Sequence, residues 1–403
     1  MKTPSKTARR PLHAGSKPAA PDIQANALLQ IRDWLAPLKS EMVAALKELV
    51  LLESPTHDKA ACDQLCGVLA DKFVELGGRV KVHRQRKAGD HLQVDFGGER
   101  GRKPILLLGH YDTVYNRGTL ASMPWRESKG LVYGPGVFDM KGGIVQTMFC
   151  IRALQESGQL QRPVTVLLVS DEEEGSASSR PITEKLAARS QAVLVCEPAG
   201  RGGALKTARK GVGGFTIRVS GVASHAGLDF EKGQNAILEL SHQVQAVAAM
   251  TNLERGITLN PGIIRGGTRT NVVPSEAEAE FDLRIASKID GDVMMRKIRA
   301  LRAVNKKCKL QVEGGINRPP LERSPAVVAL FHQAQKVAKV LGFSLNEIAV
   351  GGGSDGNFTA GLGIPTLDGL GAVGDGAHSP RESVVAAEMP RRAALLAGLI
   401  ALL

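Results

Sequence analysis

Five residues whose side chains commonly bind divalent metal ions are spread along the chain. They are His110, Asp139, Glu173, Glu197 and His378. Imidazole and carboxylate suit zinc and related ions, and three protein ligands per ion leave a position open for water or substrate. Asp139 is our candidate for a carboxylate that bridges two ions, which lets five residues fill six ligand positions. We expect His110 and Glu197 to join it around one ion, and Glu173 and His378 around the other.

Most of these residues follow apolar runs that are typical of buried strands. The runs cover residues 105–108, 164–169 and 193–195, and they precede His110, the acidic cluster 171–174 and Glu197. Continuous Val, Leu and Ile runs of this length suit strands that are buried on both faces of a parallel sheet. Ligands of open α/β sheets bind at the carboxyl ends of the strands. The predicted ligands should therefore converge on one crevice.

Two further acidic residues have predicted roles beside the metal ions. Glu172 is not needed as a ligand, and a free carboxylate there suits a general base that takes a proton from water and delivers it to the leaving nitrogen. Asp112, two residues after His110, is expected to fix the tautomer of that imidazole. The alternatives are a solvated acidic turn at 171–174 and a local turn at Asp112. The apolar run before the acidic cluster favours the cleft.

Several motifs resemble those of a known superfamily. They are Gly-His-Tyr-Asp-Thr-Val at 109–114, Asp-Met-Lys-Gly-Gly at 139–143, the Asp-Glu-Glu cluster, Cys-Glu-Pro at 196–198 and Gly-Ala-His at 376–378. Together they resemble the di-zinc hydrolases that include glutamate carboxypeptidases, acetylornithine deacetylases and aminoacylases, from about Leu29 onward. The bacterial glutamate carboxypeptidases are the most similar group. The resemblance implies a catalytic zinc domain interrupted by a dimerisation or lid domain, and hydrolysis of an amide bond beside a free carboxylate.

The resemblance also implies substrate contacts outside the metal site. His225, in the segment 220–227, is implied to reach a neighbouring subunit's active site and polarise the scissile carbonyl. Asn271 and Arg284 are implied to contact the substrate or its carboxylate, Arg318 to bind that carboxylate, and Gly353 to line the pocket in the loop 351–356. The alternatives are a surface or core histidine, arginines that pair with a neighbouring acid or cap a turn, and an ordinary glycine turn.

Length and patterning predict an α/β fold with a doubly wound zinc-hydrolase catalytic domain and an inserted α+β sandwich domain. We expect a disordered basic tail at residues 1–24, a catalytic domain formed by 25–208 and 316–403, and a dimerisation and lid domain at 209–315. Helical patterns cover residues 40–53, 61–76, 141–156, 234–250, 292–304 and 326–341. Alternating patterns at 215–219 and 278–285 indicate half-exposed strands in the insertion.

Composition excludes several classes of protein. A hydrophobic content of 43% with 45 glycines suits a packed α/β enzyme, and no apolar run is long enough to span a membrane. Residues 1–21 carry +5 of the net charge of +12. The remaining +7 suits anionic substrates, and no nucleic-acid recognition motif accompanies it. The five scattered cysteines show no disulfide framework, so a reducing cytoplasm is the simpler expectation.

The expected activity is release of a C-terminal amino acid, with glutamate favoured, from a small peptide or N-acyl amino acid. An acetylornithine-type deacylase and a dipeptidase are the alternatives within the enzyme class, and a non-catalytic binding protein that keeps the fold is the alternative outside it. Two divalent ions are expected, and zinc, cobalt and manganese all suit the predicted site. The resemblance further implies a homodimer formed through the lid domain.

Overall fold

The computed structural model of the protein describes residues 23–99 and 101–403. The helices in this part of the chain are α1 (Ile23–Leu35), α2 (Lys39–Leu51), α3 (Lys59–Glu75), α4 (Gly142–Glu156), α5 (Arg180–Ala187), α6 (Ala236–Ala248), α7 (Lys288–Arg299), α8 (Pro325–Val340), α9 (Gly356–Gly361) and α10 (Glu388–Leu402). The predicted tail, residues 1–24, lies outside the described residues except at Ile23 and Gln24, where α1 begins. Within the described ranges, no helix combines the length and apolar character needed to span a membrane.

The strands form one large sheet and several smaller ones. They are β1 (Arg79–His83), β2 (His91–Phe96), β3 (Ile105–His110), β4 (Arg126–Ser128), β5 (Leu131–Tyr133), β6 (Val164–Val169), β7 (Ala192–Val195), β8 (Leu205–Arg209), β9 (Gly211–Ser220), β10 (Ser224–His225), β11 (Thr258–Gly266), β12 (Val272–Val273), β13 (Glu276–Ile285), β14 (Lys309–Arg318), β15 (Glu347–Val350), β16 (Thr366–Leu367), β17 (Gly374–Asp375) and β18 (Ser383–Val385).

The largest sheet has the order β1-β2-β6-β3-β7-β16, and the four strands from β6 to β16 run parallel. All residues of β3, β6 and β7 are buried, as expected for strands covered on both faces. Along β3, Ile105 and Leu107 pack into the core that contains α1, α4 and α10. Leu106 and Leu108 point to the opposite face, into a second core that includes α5. Helices therefore cover both faces, and the predicted α/β fold class is confirmed.

A separate four-stranded antiparallel sheet, in the order β11-β13-β9-β14, carries helices α6 and α7. Alternate residues of β9 and β13 are buried, so one face of this sheet packs into its own hydrophobic core with the two helices. Strand β14 ends at Arg318, three residues beyond the predicted boundary at 315. The edge strand β11 was not predicted, because Asn-Pro-Gly at 260–262 interrupts its pattern.

Predicted and observed helices agree best where the apolar spacing is regular. The predicted helix 292–304 is the exception, because α7 begins at Lys288 and ends at Arg299. Its N-cap is Ser287, whose hydroxyl accepts the backbone N–H of Asp290, and this capping fixes the earlier start. The five cysteines are all buried and free, in agreement with the predicted absence of a disulfide framework.

Candidate active site

Three parallel strands bring predicted ligands to the same edge of the large sheet. His110 is the last residue of β3 and pairs in register with Val169, the last residue of β6. The short helical turn Glu172–Glu174 begins three residues later. Glu197 follows β7 by two residues. These side chains meet because the strands run parallel and end at the same level.

Asp139 and His378 come from loops rather than from strands. Asp139 lies in the turn Val137–Lys141, which leads into α4. His378 lies between β17 and β18 and has a left-handed backbone with φ of 59°. A non-glycine residue rarely adopts this conformation, so the surrounding loop must hold it there.

Asp139 lies between the two histidines. Its Oδ1 is 3.1 Å from Nε2 of His110, and its Oδ2 is 3.3 Å from Nε2 of His378. On one side, Oε1 of Glu197 is 3.3 Å from Nε2 of His110. On the other side, Oε2 of Glu173 is 3.2 Å from Nε2 of His378. The five predicted ligands therefore form two groups that share Asp139.

The pKa values of the clustered side chains are shifted because carboxylates and imidazoles lie close together. Burial disfavours the charged ring of His110, but hydrogen bonds to Asp112, Asp139 and Glu197 outweigh it and hold its pKa well above the usual range. Hydrogen bonds to Asp139 and then to Glu173 raise the pKa of His378 to about 10. Burial raises the pKa of Asp139, yet hydrogen bonds from both imidazoles hold it far below its usual range.

The residues present fit a pair of divalent cations. The side chains form two sets, and within each set the ligand atoms lie within 4.8 Å of one another. One set is His110, Asp139 and Glu173, and the other is His110, Glu172 and Glu197. Oε1 of Glu173 is buried and has no hydrogen-bond partner among the described residues. A buried carboxylate oxygen without a partner is unfavourable, and a cation at this point would satisfy it.

Asp112 lies directly behind His110. Its Oδ1 is 3.4 Å from Nδ1 of His110, and its backbone oxygen is 3.1 Å from the same nitrogen. Oδ2 accepts hydrogen bonds from the hydroxyl of Thr56 at 2.8 Å and from the backbone N–H of Glu173 at 3.3 Å. Asp112 thus connects β3 to the acidic cluster. Thr56 could not be predicted as a partner of Asp112, because its loop, residues 52–58, has no apolar periodicity.

Glu172 and Arg318 form a largely buried ion pair, in which the arginine side chain is the more enclosed. Nη2 of Arg318 donates to Oε1 and to the backbone oxygen of Glu172, both at 2.8 Å. Nη1 donates to Oδ1 of Asp355 at 3.1 Å. Burial raises the pKa of Glu172 well above its usual range, although the positive charge of Arg318 opposes this. In this structure the guanidinium of Arg318, predicted to bind a substrate carboxylate, contacts Glu172 and Asp355.

The glycine loop packs against two arginines. A Cβ atom at Gly353 would lie 3.0 Å from Cδ of Arg318, so a side chain here would require Arg318 to shift. The backbone oxygen of Gly353 accepts from Nη1 of Arg209 at 3.2 Å. Nη2 of Arg209 is 3.3 Å from Oε2 of Glu197 and 2.7 Å from Oδ1 of Asp368. Arg209 carries no sequence signal because two of its partners, Gly353 and Asp368, lie more than 140 residues away along the chain.

Three of the predicted substrate contacts lie outside the metal-ligand cluster, on the insertion. His225 belongs to β10 and pairs in register with Val272 of β12, next to Asn271. Its Nδ1 accepts the backbone N–H groups of Gly227 and Leu228 at 3.1 and 3.2 Å, which makes Nε2 the donor nitrogen of the ring.

Arg284 is paired within its own strand. On β13, Nε of Arg284 donates to Oδ1 of Asp282 at 2.9 Å, and both side chains are partly exposed. This is the pairing that the sequence left open as an alternative. An exposed pair of this kind contributes little and can rearrange around a ligand.

Comparison with known proteins places this geometry in a family. The sequence model of peptidase family M20/M25/M40 matches residues 106–402, which include all five clustered ligands. The chain belongs to this family. Carboxypeptidase G2 of Pseudomonas sp. is 32% identical to it over 372 residues, covering 89% of this chain and 88% of that protein. Membership supports a metal-dependent hydrolase and confirms the resemblance drawn from the motifs.

Two further relatives show the breadth of the family. Succinyl-diaminopimelate desuccinylase of Nitrosococcus oceani is 26% identical over 370 residues, covering 85% of this chain and 93% of that protein. The crystal structure of aminopeptidase PepT from Bacillus cereus superposes with a TM-score of 0.75 at 23% identity, covering 90% of this chain and 98% of that one. The chain is thus similar in sequence to a carboxypeptidase and a desuccinylase, and it shares its fold with an aminopeptidase.

Proposed function

We propose that this member of the M20/M25/M40 family hydrolyses an amide bond next to a free carboxylate and releases a C-terminal amino acid, with glutamate favoured. The observation that carries the proposal is the placement of a largely buried carboxylate, Glu172, beside two groups of proposed metal ligands that share Asp139. The similarity to carboxypeptidase G2 over most of the chain supports the carboxypeptidase direction.

The proposed ligands of one ion are His110, Asp139 and Glu197, and those of the other are Asp139, Glu173 and His378. Two divalent ions held there would polarise a carbonyl oxygen and lower the pKa of water. Nitrogen and carboxylate donors favour zinc, and cobalt or manganese suits the same donors. Asp112 holds the His110 ring through Nδ1, so Nε2 is directed toward the cluster.

Glu172 is the proposed general base. It accepts the proton of the attacking water and then delivers it to the amide nitrogen as the carbon–nitrogen bond breaks. Burial favours the protonated form of Glu172, whereas the positive charge of Arg318 favours the ionised form that a general base requires. A non-catalytic binding protein would have no use for this arrangement.

The insertion, residues 209–315, is the proposed lid and dimerisation domain. We assign His225 to the carbonyl oxygen of the substrate in a partner's active site, because the residue is exposed and its Nε2 can donate a hydrogen bond. Arg284, with Asn271, is the proposed carboxylate-binding pair, since the guanidinium of Arg284 remains partly exposed. Gly353 is proposed to line the pocket with backbone atoms.

A homodimer through this domain is supported by its exposed apolar side chains. Leu238 of α6 is 59% exposed, and Ile264 of the edge strand β11 is 62% exposed. An exposed strand edge can pair with another strand, and apolar residues beside it would be buried by a second copy.

The proposed substrate is a small peptide or N-acyl amino acid.

The second candidate is an N-acyl amino acid deacylase, and the specific observation in its favour is the similarity to succinyl-diaminopimelate desuccinylase. The two activities cleave the same bond and differ in the side of it that the enzyme recognises. A carboxypeptidase tolerates many acyl groups and selects the amino acid, whereas a deacylase selects the acyl group.

The test is a substrate panel with metal-reconstituted enzyme and a chelated control. The panel holds the acyl group constant over glutamate, leucine and lysine, then holds glutamate constant over several acyl groups, and includes the α-amide of each compound. We expect metal-dependent release of glutamate from several N-acylglutamates and at least tenfold slower cleavage of the α-amides. Cleavage only of acetylated neutral or basic amino acids would favour the deacylase, and no cleavage by the metal-loaded protein would favour a binding protein.

A further inference from the structure

Glu382 is a fully buried carboxylate that none of the roles proposed above uses. It lies four residues after His378, in the loop that leads from β17 into β18. Burying a carboxylate is costly unless donors surround it, and burial raises the pKa of Glu382 although its hydrogen bonds oppose this. Its donors therefore show what the side chain does.

Four neutral donors converge on this carboxylate. Oε1 accepts the backbone N–H groups of Phe138 at 2.8 Å and Asp139 at 2.9 Å. Oε2 accepts the backbone N–H of Gly136 at 3.1 Å and the hydroxyl of Tyr115 at 2.6 Å. Two of the four donors belong to the turn Val137–Lys141, which carries the shared ligand Asp139, and a third, Gly136, immediately precedes it. A single side chain therefore holds the start of this turn, including the backbone of Asp139.

Tyr115 adds a second link to the same loop. Its hydroxyl also lies 3.1 Å from the backbone oxygen of Ser379, the residue after His378. Tyr115 itself follows β3 by five residues, in the segment that begins with His110. Glu382 therefore lies where three segments meet, and each of them supplies a proposed metal ligand.

We propose that Glu382 is a positioning residue that fixes the Asp139 turn to the His378 loop and so sets the spacing of the proposed ligands. The inference rests on the proposed metal site. The backbone N–H of Asp139 is one bond from its Cα, so moving the turn moves the carboxylate that faces both histidines. Outer partners of this kind hold ligands in a productive orientation, and their loss typically weakens metal affinity by about 10–100-fold.

The test is the Glu382→Gln variant of the full chain, with zinc affinity measured by competition with a chromogenic chelator. Each oxygen of Glu382 accepts two donors, so an amide NH2 group must face donors whichever way it turns. We expect zinc affinity to fall by about 10–100-fold and kcat/KM at subsaturating zinc to fall with it. Saturating zinc should restore most of the lost activity.

Glu239 provides a matched control. It is a buried carboxylate of α6 that accepts backbone N–H groups of Val304 at 3.0 Å and Asn305 at 2.7 Å, and it lies on the insertion, outside the ligand cluster. Glu239→Gln introduces the same chemical change and should lower thermal stability while leaving zinc affinity within twofold of wild type. An equal loss of zinc affinity in both variants would show a general effect of destabilisation and overturn the inference.

Two further outcomes are distinguishable. If wild type binds two zinc ions and hydrolyses its substrates while Glu382→Gln has unchanged zinc affinity, the positioning role is wrong and the proposed function stands. If wild type binds no zinc, the proposed function itself fails. Should Glu382→Gln not fold, Tyr115→Phe removes one of the four donors and is expected to weaken zinc binding several-fold; unchanged affinity in that variant would reject the role.

Discussion

Replacing Arg318 by methionine separates two roles that this arginine could have. In the structure its guanidinium donates twice to Glu172 and once to Asp355, and the side chain is 6% exposed. If its function is to hold the general base, Arg318→Met should change the pH dependence of catalysis. If it binds the substrate carboxylate, the variant should instead raise KM for substrates that carry one.

The magnitude follows from the lost hydrogen bond between charged groups. The positive charge of Arg318 favours the ionised form of Glu172, so its removal raises the pKa of Glu172 further. A hydrogen bond to a charged group is worth about 1.5–3 kcal/mol, and 1.36 kcal/mol corresponds to a factor of ten in protonation. On the acidic side of its optimum, kcat/KM should therefore fall about 10- to 100-fold, and the acidic limb of the profile should move to higher pH. Global stability should also fall by about 3–5 kcal/mol, because breaking a buried pair leaves charges uncompensated.

The assay is kcat/KM from pH 5 to 9 on an N-acylglutamate, with metal held at saturation. Arg284→Met is the matched control, since the proposed carboxylate-binding role predicts a raised KM and an unmoved acidic limb. A raised KM in Arg318→Met with the acidic limb unchanged would refute the positioning of Glu172 by Arg318. It would restore the role expected from the sequence.

Three other outcomes follow from single contacts. Because hydrogen bonds to acids raise the pKa of His378 to about 10, zinc binding at pH 7 must displace its proton; titration calorimetry in buffers of different ionisation enthalpy should show at least one proton released, with affinity rising as pH rises. A Cβ at Gly143 would lie 2.1 Å from the Cys196 backbone oxygen. Gly143→Ala should therefore lower the free energy of unfolding, measured by denaturant titration, by more than the roughly 1–3 kcal/mol that is typical of an overpacked site. Gly67→Ala, where a Cβ meets nothing within 4 Å, should instead stabilise α3 by about 0.5–1 kcal/mol; the opposite order would contradict the packing. A hydrogen bond from its arginine partner lowers the pKa of Glu347 to about 2. Above pH 4.5, Glu347→Gln should therefore be less stable than wild type by about 0.2–1 kcal/mol, as for a partly exposed ion pair. This difference in the free energy of unfolding should vanish as the pH falls to about 2.

The parts of the site that the sequence predicts are those governed by local pattern. Buried parallel strands have a distinctive composition, and their carboxyl ends meet at one edge, so the convergence of His110, Glu173 and Glu197 follows from three apolar runs. Asp139 and His378 were found through their motifs. The structure brings all five together around the carboxylate of Asp139.

The parts that the sequence does not predict depend on contacts between distant segments. Arg209 and Glu382 carry no local signal. The buried Asp368, which pairs with Arg209, lies more than 150 residues away from it, and the Asp139 turn that Glu382 holds lies more than 240 residues away. The contacts of Arg318 with Glu172 and Asp355 could not be predicted from the sequence either. A buried arginine and a substrate-binding arginine have the same local sequence pattern. Helix α7 was misplaced for a different reason, since its capping serine outweighed the apolar spacing used to place it.

The most direct test of the proposed mechanism is the Glu172→Gln variant, assayed for turnover and for bound metal in the same preparation. The side chain keeps its size and its contact with Arg318 but can no longer accept a proton. We predict two bound zinc ions per chain, as in wild type, and a loss of kcat of about 100-fold or more. Residual turnover near the wild-type rate, with metal retained, would contradict the assignment of Glu172 as the base.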